Sequence, residues 1–123
     1  MLDYLGLTFA EIPVREFDRA RTFYEDVLKF SILHLDATNR WCLYAIPTSQ
    51  TAVAIYSNRE MAGESPSQTR LVLEVKDLNQ MIHYLQIHNI EVEPIRFHEQ
   101  ENFRISGFID PSGNVWRIWS RST

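Results

Sequence analysis

Apolar and polar positions follow one another along this chain in an order that occurs twice. Residues 5–14 are rich in β-branched and aromatic side chains and predict a strand, with Pro13 confining it to a sheet edge or a strand end. Residues 18–28 change period. Ala20, Phe23, Tyr24, Val27 and Leu28 fall at i, i+3, i+4, i+7 and i+8, one apolar stripe along a helix. Three short strand-like runs follow, near 32–36, 41–46 and 52–56, separated by the turn residues Asn39 and Pro47-Thr48-Ser49. The predicted order is βαβββ.

Residues 58–68 are polar, contain Gly63 and Pro66, show no apolar period and predict a linker. The order then repeats. Residues 70–75 alternate as a half-buried strand, and Asp77 is placed to cap a helix whose buried stripe is Leu78, Met81, Ile82 and Leu85. Asn89 suits the left-handed position after that helix. Strands are predicted near 91–95, 103–109 and 115–120, with Asp110-Pro111-Ser112-Gly113-Asn114 as a tight turn between the last two. Val14 and Val75, Glu16 and Asp77, and Phe23 and Tyr84 occupy equivalent places in the two halves. We therefore expect an α+β fold of two βαβββ modules, about 5–57 and 69–121, within one domain spanning 1–123.

Composition narrows the function. The chain has 123 residues, 45% of them hydrophobic, and a formal net charge of −4. That is ordinary globular composition, long enough for a core without metals or disulfides. The mildly acidic balance argues against a nucleic-acid footprint, which needs clustered Lys and Arg. No apolar run reaches the roughly 18 residues that span a bilayer. Residues 1–4 lack a basic segment leading into an apolar one, so we expect no secretory signal and a cytoplasmic location. Cys42 is the single cysteine and reads as a small buried hydrophobe. Scattered glycines form no phosphate-cradling loop, and no G-x-S-x-G elbow surrounds any serine.

Three segments carry a resemblance. Ile12-Pro13-Val14-Arg15-Glu16-Phe17-Asp18-Arg19-Ala20 followed by Phe23-Tyr24-Glu25-Asp26-Val27-Leu28 resembles the first strand and helix of the vicinal oxygen chelate superfamily of glyoxalases, bleomycin-resistance proteins, fosfomycin-resistance transferases and extradiol dioxygenases. Leu73-Glu74-Val75-Lys76-Asp77-Leu78 resembles the opening of its second module, and Phe108-Ile109-Asp110-Pro111-Ser112-Gly113-Asn114 its closing hairpin. The resemblance implies paired βαβββ modules whose curved mixed sheets form a cup, and an assembly as a homodimer.

It also implies four metal-ligand positions. Carried over by motif, these fall on Phe9, Ala54, Arg70 and Arg117. A phenyl ring and a methyl group offer no lone pair, and arginine stays protonated with donors only. Divalent cations need deprotonated N, O or S donors. His34, His83, His88 and His98 supply no His-His-carboxylate constellation by spacing. We expect no metal and no cofactor.

Strand alternation then gives the cup lining as Phe9, Glu11, Ala54, Tyr56, Arg70, Glu74, Arg117 and Trp119. Aromatic faces with a few polar groups suit a small organic ligand, aromatic or anionic. The two arginines admit two uses, forking an anionic ligand or pairing internally with Glu11 and Glu74. The expected function is a metal-free small-molecule binder. The alternative is an enzyme on the same fold, a lyase, isomerase or dioxygenase, with unusual metal ligands or with Glu11 or Glu74 as general base. A third reading is an interaction subunit whose cup is filled by its own side chains.

Overall fold

The computed structural model describes residues 2–57 and 69–121, so the predicted linker at 58–68 lies outside the described residues. The chain divides into two compact units, Met1–Glu64 and Ser65–Thr123.

The first unit runs β1 (Phe9–Pro13), α1 (Phe17–Thr22), β2 (Ser31–Asp36), β3 (Trp41–Ala45) and β4 (Ala52–Tyr56). Its sheet has the order β1-β4-β3-β2, with β1 parallel to β4 and the other pairs antiparallel. The β1–β4 ladder starts at Phe9↔Ala52 and ends at Pro13↔Tyr56. It begins where β4 begins, which is why the predicted first strand loses residues 5–8, and Leu5 and Leu7 are exposed. One face of the sheet, bearing Ile12, Cys42, Tyr44, Val53 and Ile55, is buried with Phe17, Ala20, Phe23 and Tyr24 of the helical segment. Each large apolar side chain buried this way contributes about 1.5–3 kcal/mol.

The predicted helix over 18–28 is present but changes hand-hold midway. After Thr22 it widens into a π-helical turn over Phe23–Val27, closed by the Leu28 N–H donating to the Phe23 carbonyl at 3.0 Å. Tyr24 lies stacked against Tyr44, their centroids 6.0 Å apart.

The second unit repeats the plan with β5 (Leu71–Glu74), α2 (Leu78–Ile87), β6 (Arg96–His98), β7 (Phe103–Ile109) and β8 (Val115–Arg121), in the sheet order β5-β8-β7-β6. Asp77 accepts from the Gln80 N–H at 3.1 Å, the predicted cap, and Asn89 takes the predicted left-handed conformation at φ 59°. Leu78, Ile82 and Leu85 are buried, as are Phe108 and Trp116, whose rings stack at 5.9 Å. The tight turn is bound by Asp110, which accepts from the backbone N–H groups of Ser112 and Asn114 at 2.9 and 2.8 Å.

The strand predicted at 91–95 is a correction. Val92 makes only an isolated bridge to Phe108, and the Glu93 N–H still reaches the Gly107 carbonyl at 2.9 Å. Pro94 then offers no N–H to continue the ladder, and pairing resumes one step on as β6. No helix among the described residues is long and apolar enough to cross a membrane.

Candidate functional site

Each sheet has one face packed under its helix and one face left open. Residues side by side in a ladder share a face, so register alone defines the open rows.

On the second sheet, Glu74, Trp119, Ile105 and Arg96 form one open row, and Arg121, Phe103 and His98 the next. The rings meet. His98 stacks on Phe103 at 4.6 Å with 13° between planes, and Phe103 meets Trp119 edge-on at 5.9 Å. The Arg121 guanidinium lies 5.3 Å from the Trp119 ring centre, and its Nε is 3.3 Å from Glu74 Oε2. Glu101, Asn102, Phe103, Ile105, Trp119 and Arg121 line an open pocket of about 590 Å³. Two aromatic rings set nearly at right angles, with a guanidinium at their edge, can contact an aromatic ring and orient a negative group on it.

On the first sheet, the open rows hold Phe9; Glu11 with Ala54, Leu43 and His34; and Pro13 with Tyr56, Trp41 and Asp36. Trp41 is the hub. Its indole N–H donates to Glu11 Oε2 at 2.7 Å, and its ring meets Phe9 edge-on and His34 at a tilt, both at 5.9 Å.

The predicted lining residues therefore fall as follows. Phe9, Glu11, Ala54 and Tyr56 share the open face of the first sheet, with Ala54 fully buried. Glu74, Arg117 and Trp119 share that of the second, while Arg70 sits exposed just before β5. The polar partners differ from those considered from sequence. Glu11 is engaged by Trp41, Glu74 by Arg121, and the Arg117 Nε–H points to the Ser106 carbonyl at 3.4 Å. Sequence reasoning missed Phe103, Ile105, His98 and Arg121. Arg121 continues the i, i+2, i+4 alternation of Arg117 and Trp119, so one more residue on the last strand would have found it.

A second polar cluster lies on the helix side of the first sheet. Arg21 grips Glu25 through Nε at 2.7 Å and Nη2 at 3.2 Å, and the buried Tyr44 hydroxyl donates to Glu25 at 2.7 Å. Burial pushes the Glu25 carboxyl up, but hydrogen bonds from Arg21 and Tyr44 and the Arg21 charge outweigh it and hold it below its ordinary range. Burial also pushes the Tyr44 phenol and the Cys42 thiol up, keeping both protonated. A protonated, fully buried thiol is not a nucleophile. This cluster fastens the π turn to β3.

The donor set at the four positions that the resemblance implies does not fit a divalent cation: Phe9, Ala54, Arg70 and Arg117 supply no lone pair to it. Among the described residues, no three His, Cys, Asp or Glu side chains gather as a metal-binding group.

Two βαβββ units with equivalent strand orders define a paired-module α+β fold. The chain belongs to the Glyoxalase/Bleomycin resistance protein/Dioxygenase superfamily, whose family model matches residues 6–118. No curated protein matches it in sequence. Among solved structures it is similar to TnmS3, an antibiotic binding protein from Streptomyces sp. CB03234, with 22% identity, TM-score 0.78, and 98% of this chain and 100% of that one covered. It is similar to a mutant of the fosfomycin resistance protein FosX from Listeria monocytogenes, complexed with Mn(II) and 1S,2S-dihydroxypropylphosphonic acid, with 10% identity, TM-score 0.78, and 98% and 95% covered. It is also similar to an integron cassette protein from the mobile metagenome of Halifax Harbour sewage outfall, with 18% identity, TM-score 0.79, and 95% and 99% covered. These likenesses establish the fold.

Proposed function

We propose that this protein is a metal-free binder of a small organic molecule, held non-covalently against the open aromatic sheet faces. The observation that carries the reading is the pocket of about 590 Å³ on the second sheet, floored by Trp119 and Phe103 and edged by Arg121. Offset and edge-on contact with such rings contributes about 0.5–1.5 kcal/mol per pair beyond the area buried. Arg121, steadied by Glu74, supplies the polar end that orients an anionic substituent. On the first sheet, Glu11 orients the Trp41 indole in the same manner. In this reading both carboxylates position their neighbours and neither acts as a base.

The antibiotic-binding likeness to TnmS3 supports a sequestering role, and the unsuitable donor set supports metal independence. We further propose that the two modules, about 5–57 and 69–121, act as one domain, that the chain works as a homodimer, and that it resides in the cytoplasm.

The test is a melting-temperature and tryptophan-fluorescence screen of the purified protein against planar aromatic antibiotics, some neutral and some bearing a carboxylate. A ligand at a hundredfold excess over Kd raises stability by about 2.7 kcal/mol. Binding that is lost in Trp119→Ala supports the reading. It fails if no aromatic compound binds, or if tag-free protein carries stoichiometric Mn, Fe, Ni or Zn by elemental analysis. Light scattering after gel filtration checks the dimer.

A further inference from the structure

We propose that the first unit carries a second, separate site, for a small molecule bearing a phosphate dianion, at the carboxyl ends of the parallel strands β1 and β4. Both strands end together at Pro13↔Tyr56, and the chain leaves them at the same end of the sheet. Three hydrogen bonds then draw the departing segments together. The Val14 N–H donates to the Tyr56 carbonyl at 2.8 Å, the Ser57 N–H donates to the Arg40 carbonyl at 3.0 Å, and the Ser57 hydroxyl donates to the Arg15 carbonyl at 3.2 Å. They border an open pocket of about 600 Å³.

Its charge is opposite to that of the chain. Among the described residues, Arg15, Arg19, Arg21 and Arg40 line it against Glu16 and Asp18, whereas the whole chain carries a net −4. Arg21 is held from behind by Glu25 and serves as a fixed wall. Arg19 touches Glu16 at 3.9 Å, with both side chains mostly exposed at 68% and 72%, a loose contact that a dianion displaces readily. Arg40 is the distinctive member. Its backbone is left-handed at φ 53°, a conformation that glycine or asparagine adopts at less cost, and its N–H and carbonyl are both tied into the β2–β3 turn and to Ser57. Among the described residues its guanidinium has no hydrogen-bond or ion-pair partner, and it faces the pocket with forked donors. An unpaired guanidinium on a tied-down backbone, beside three further arginines, matches a tetrahedral dianion. The volume leaves room for the remainder of a phosphorylated molecule beside its phosphate. None of the residues described as lining it lines the aromatic pocket on the second sheet, so the two sites can be tested separately.

The experiment uses the full chain and inorganic phosphate as the probe, with sodium chloride at matched ionic strength as reference. Backbone amide shifts are followed by NMR. The expected result is saturable movement centred on Arg15, Arg19, Arg40 and Ser57, with a Kd on the order of millimolar. Arg40→Gly is the decisive variant, because glycine suits the left-handed position. It should melt no lower than the parent and lose at least tenfold in phosphate affinity, while Trp119→Ala keeps it. Shifts that never saturate, that scatter over the surface, or that persist unchanged in Arg40→Gly and Arg19→Ala overturn the proposal. None of these outcomes bears on aromatic-ligand binding.

Discussion

Trp41 gives its indole N–H to the Glu11 carboxylate across 2.7 Å, linking β3 to β1 over the intervening strand β4. The bond lies on the open face, where water competes for both groups, so its net contribution is about 1 kcal/mol or less. Its consequence is orientation, since the same indole meets Phe9 and His34. A double-mutant cycle of Trp41→Phe and Glu11→Gln is expected to give a coupling near 0.5–1 kcal/mol in urea unfolding. A coupling of zero would mean that the ring is placed by packing alone.

Acid sensitivity should trace to Glu25. Burial opposes its charge, and the Arg21 and Tyr44 hydrogen bonds with the Arg21 charge more than compensate, so the folded-state value lies below the ordinary 4.5. The stability linked to this depressed carboxyl is complete above the ordinary value and is lost as pH falls through the folded value. Unfolding free energy of the parent should therefore fall on acidification below about pH 4.5, and Glu25→Gln should flatten that segment. Tyr44→Phe removes one of the compensating bonds, moves the Glu25 value up, and costs about 1–2 kcal/mol at neutral pH. If Glu25→Gln retains the full acid slope, another carboxylate is responsible, with Asp36, held low by Asn39, next in line.

How much of this was legible beforehand depends on what sets each feature. Alternation groups Phe9 with Glu11, and Arg117 with Trp119, on the sheet faces away from the helices, because the pleat period is a local property of any strand. Asp77, Asn89 and the 110–114 turn were legible for the same reason: their conformations follow from side chains within a few residues. The failures are non-local. The length of β1 is set by β4, which pairs with it at Phe9↔Ala52 far along the chain, and the break at Pro94 matters only because β7 lies alongside. The apolar stripe of residues 20–28 has the same spacing whether the turn is α or π, so the widening at Phe23 left no periodic trace. The carboxylate partners depend on strand register, which one sequence does not specify.

Gly107 stands beside Arg117 in the β7–β8 ladder, and a Cβ there would lie 2.7 Å from the Trp116 carbonyl oxygen and 3.1 Å from the Glu93 side chain. The side chain of Glu93 can move aside, but the carbonyl belongs to the ladder and cannot. Gly107→Ala should therefore destabilise the second unit by about 1–3 kcal/mol, the range for overpacking, read as a lower urea midpoint at unchanged slope. Ser106→Ala is the informative comparison. The buried Ser106 hydroxyl donates to the Glu93 carbonyl at 2.6 Å, so its removal costs through a lost hydrogen bond and leaves the ladder intact.

Arg121 separates binding from stability. Its side chain is 76% exposed, and its pairing with Glu74 is of the solvent-screened kind that contributes between nothing and about 1 kcal/mol to folding. Arg121→Gln should therefore leave the melting temperature within about 2 °C of the parent. The guanidinium also sits over Trp119 at the lip of the aromatic pocket, where a bound carboxylate would meet it. A charge-assisted hydrogen bond of about 1.5–3 kcal/mol corresponds to a 10- to 150-fold loss of affinity for carboxylated aromatic ligands. Neutral ligands of the same ring system should bind the variant and the parent within threefold of each other, and raising salt should weaken only the carboxylated series, only in the parent. Equal losses for both series would instead assign Arg121 the task of holding the Trp119 ring flat, and fluorescence anisotropy of that tryptophan in the unliganded variant would then fall.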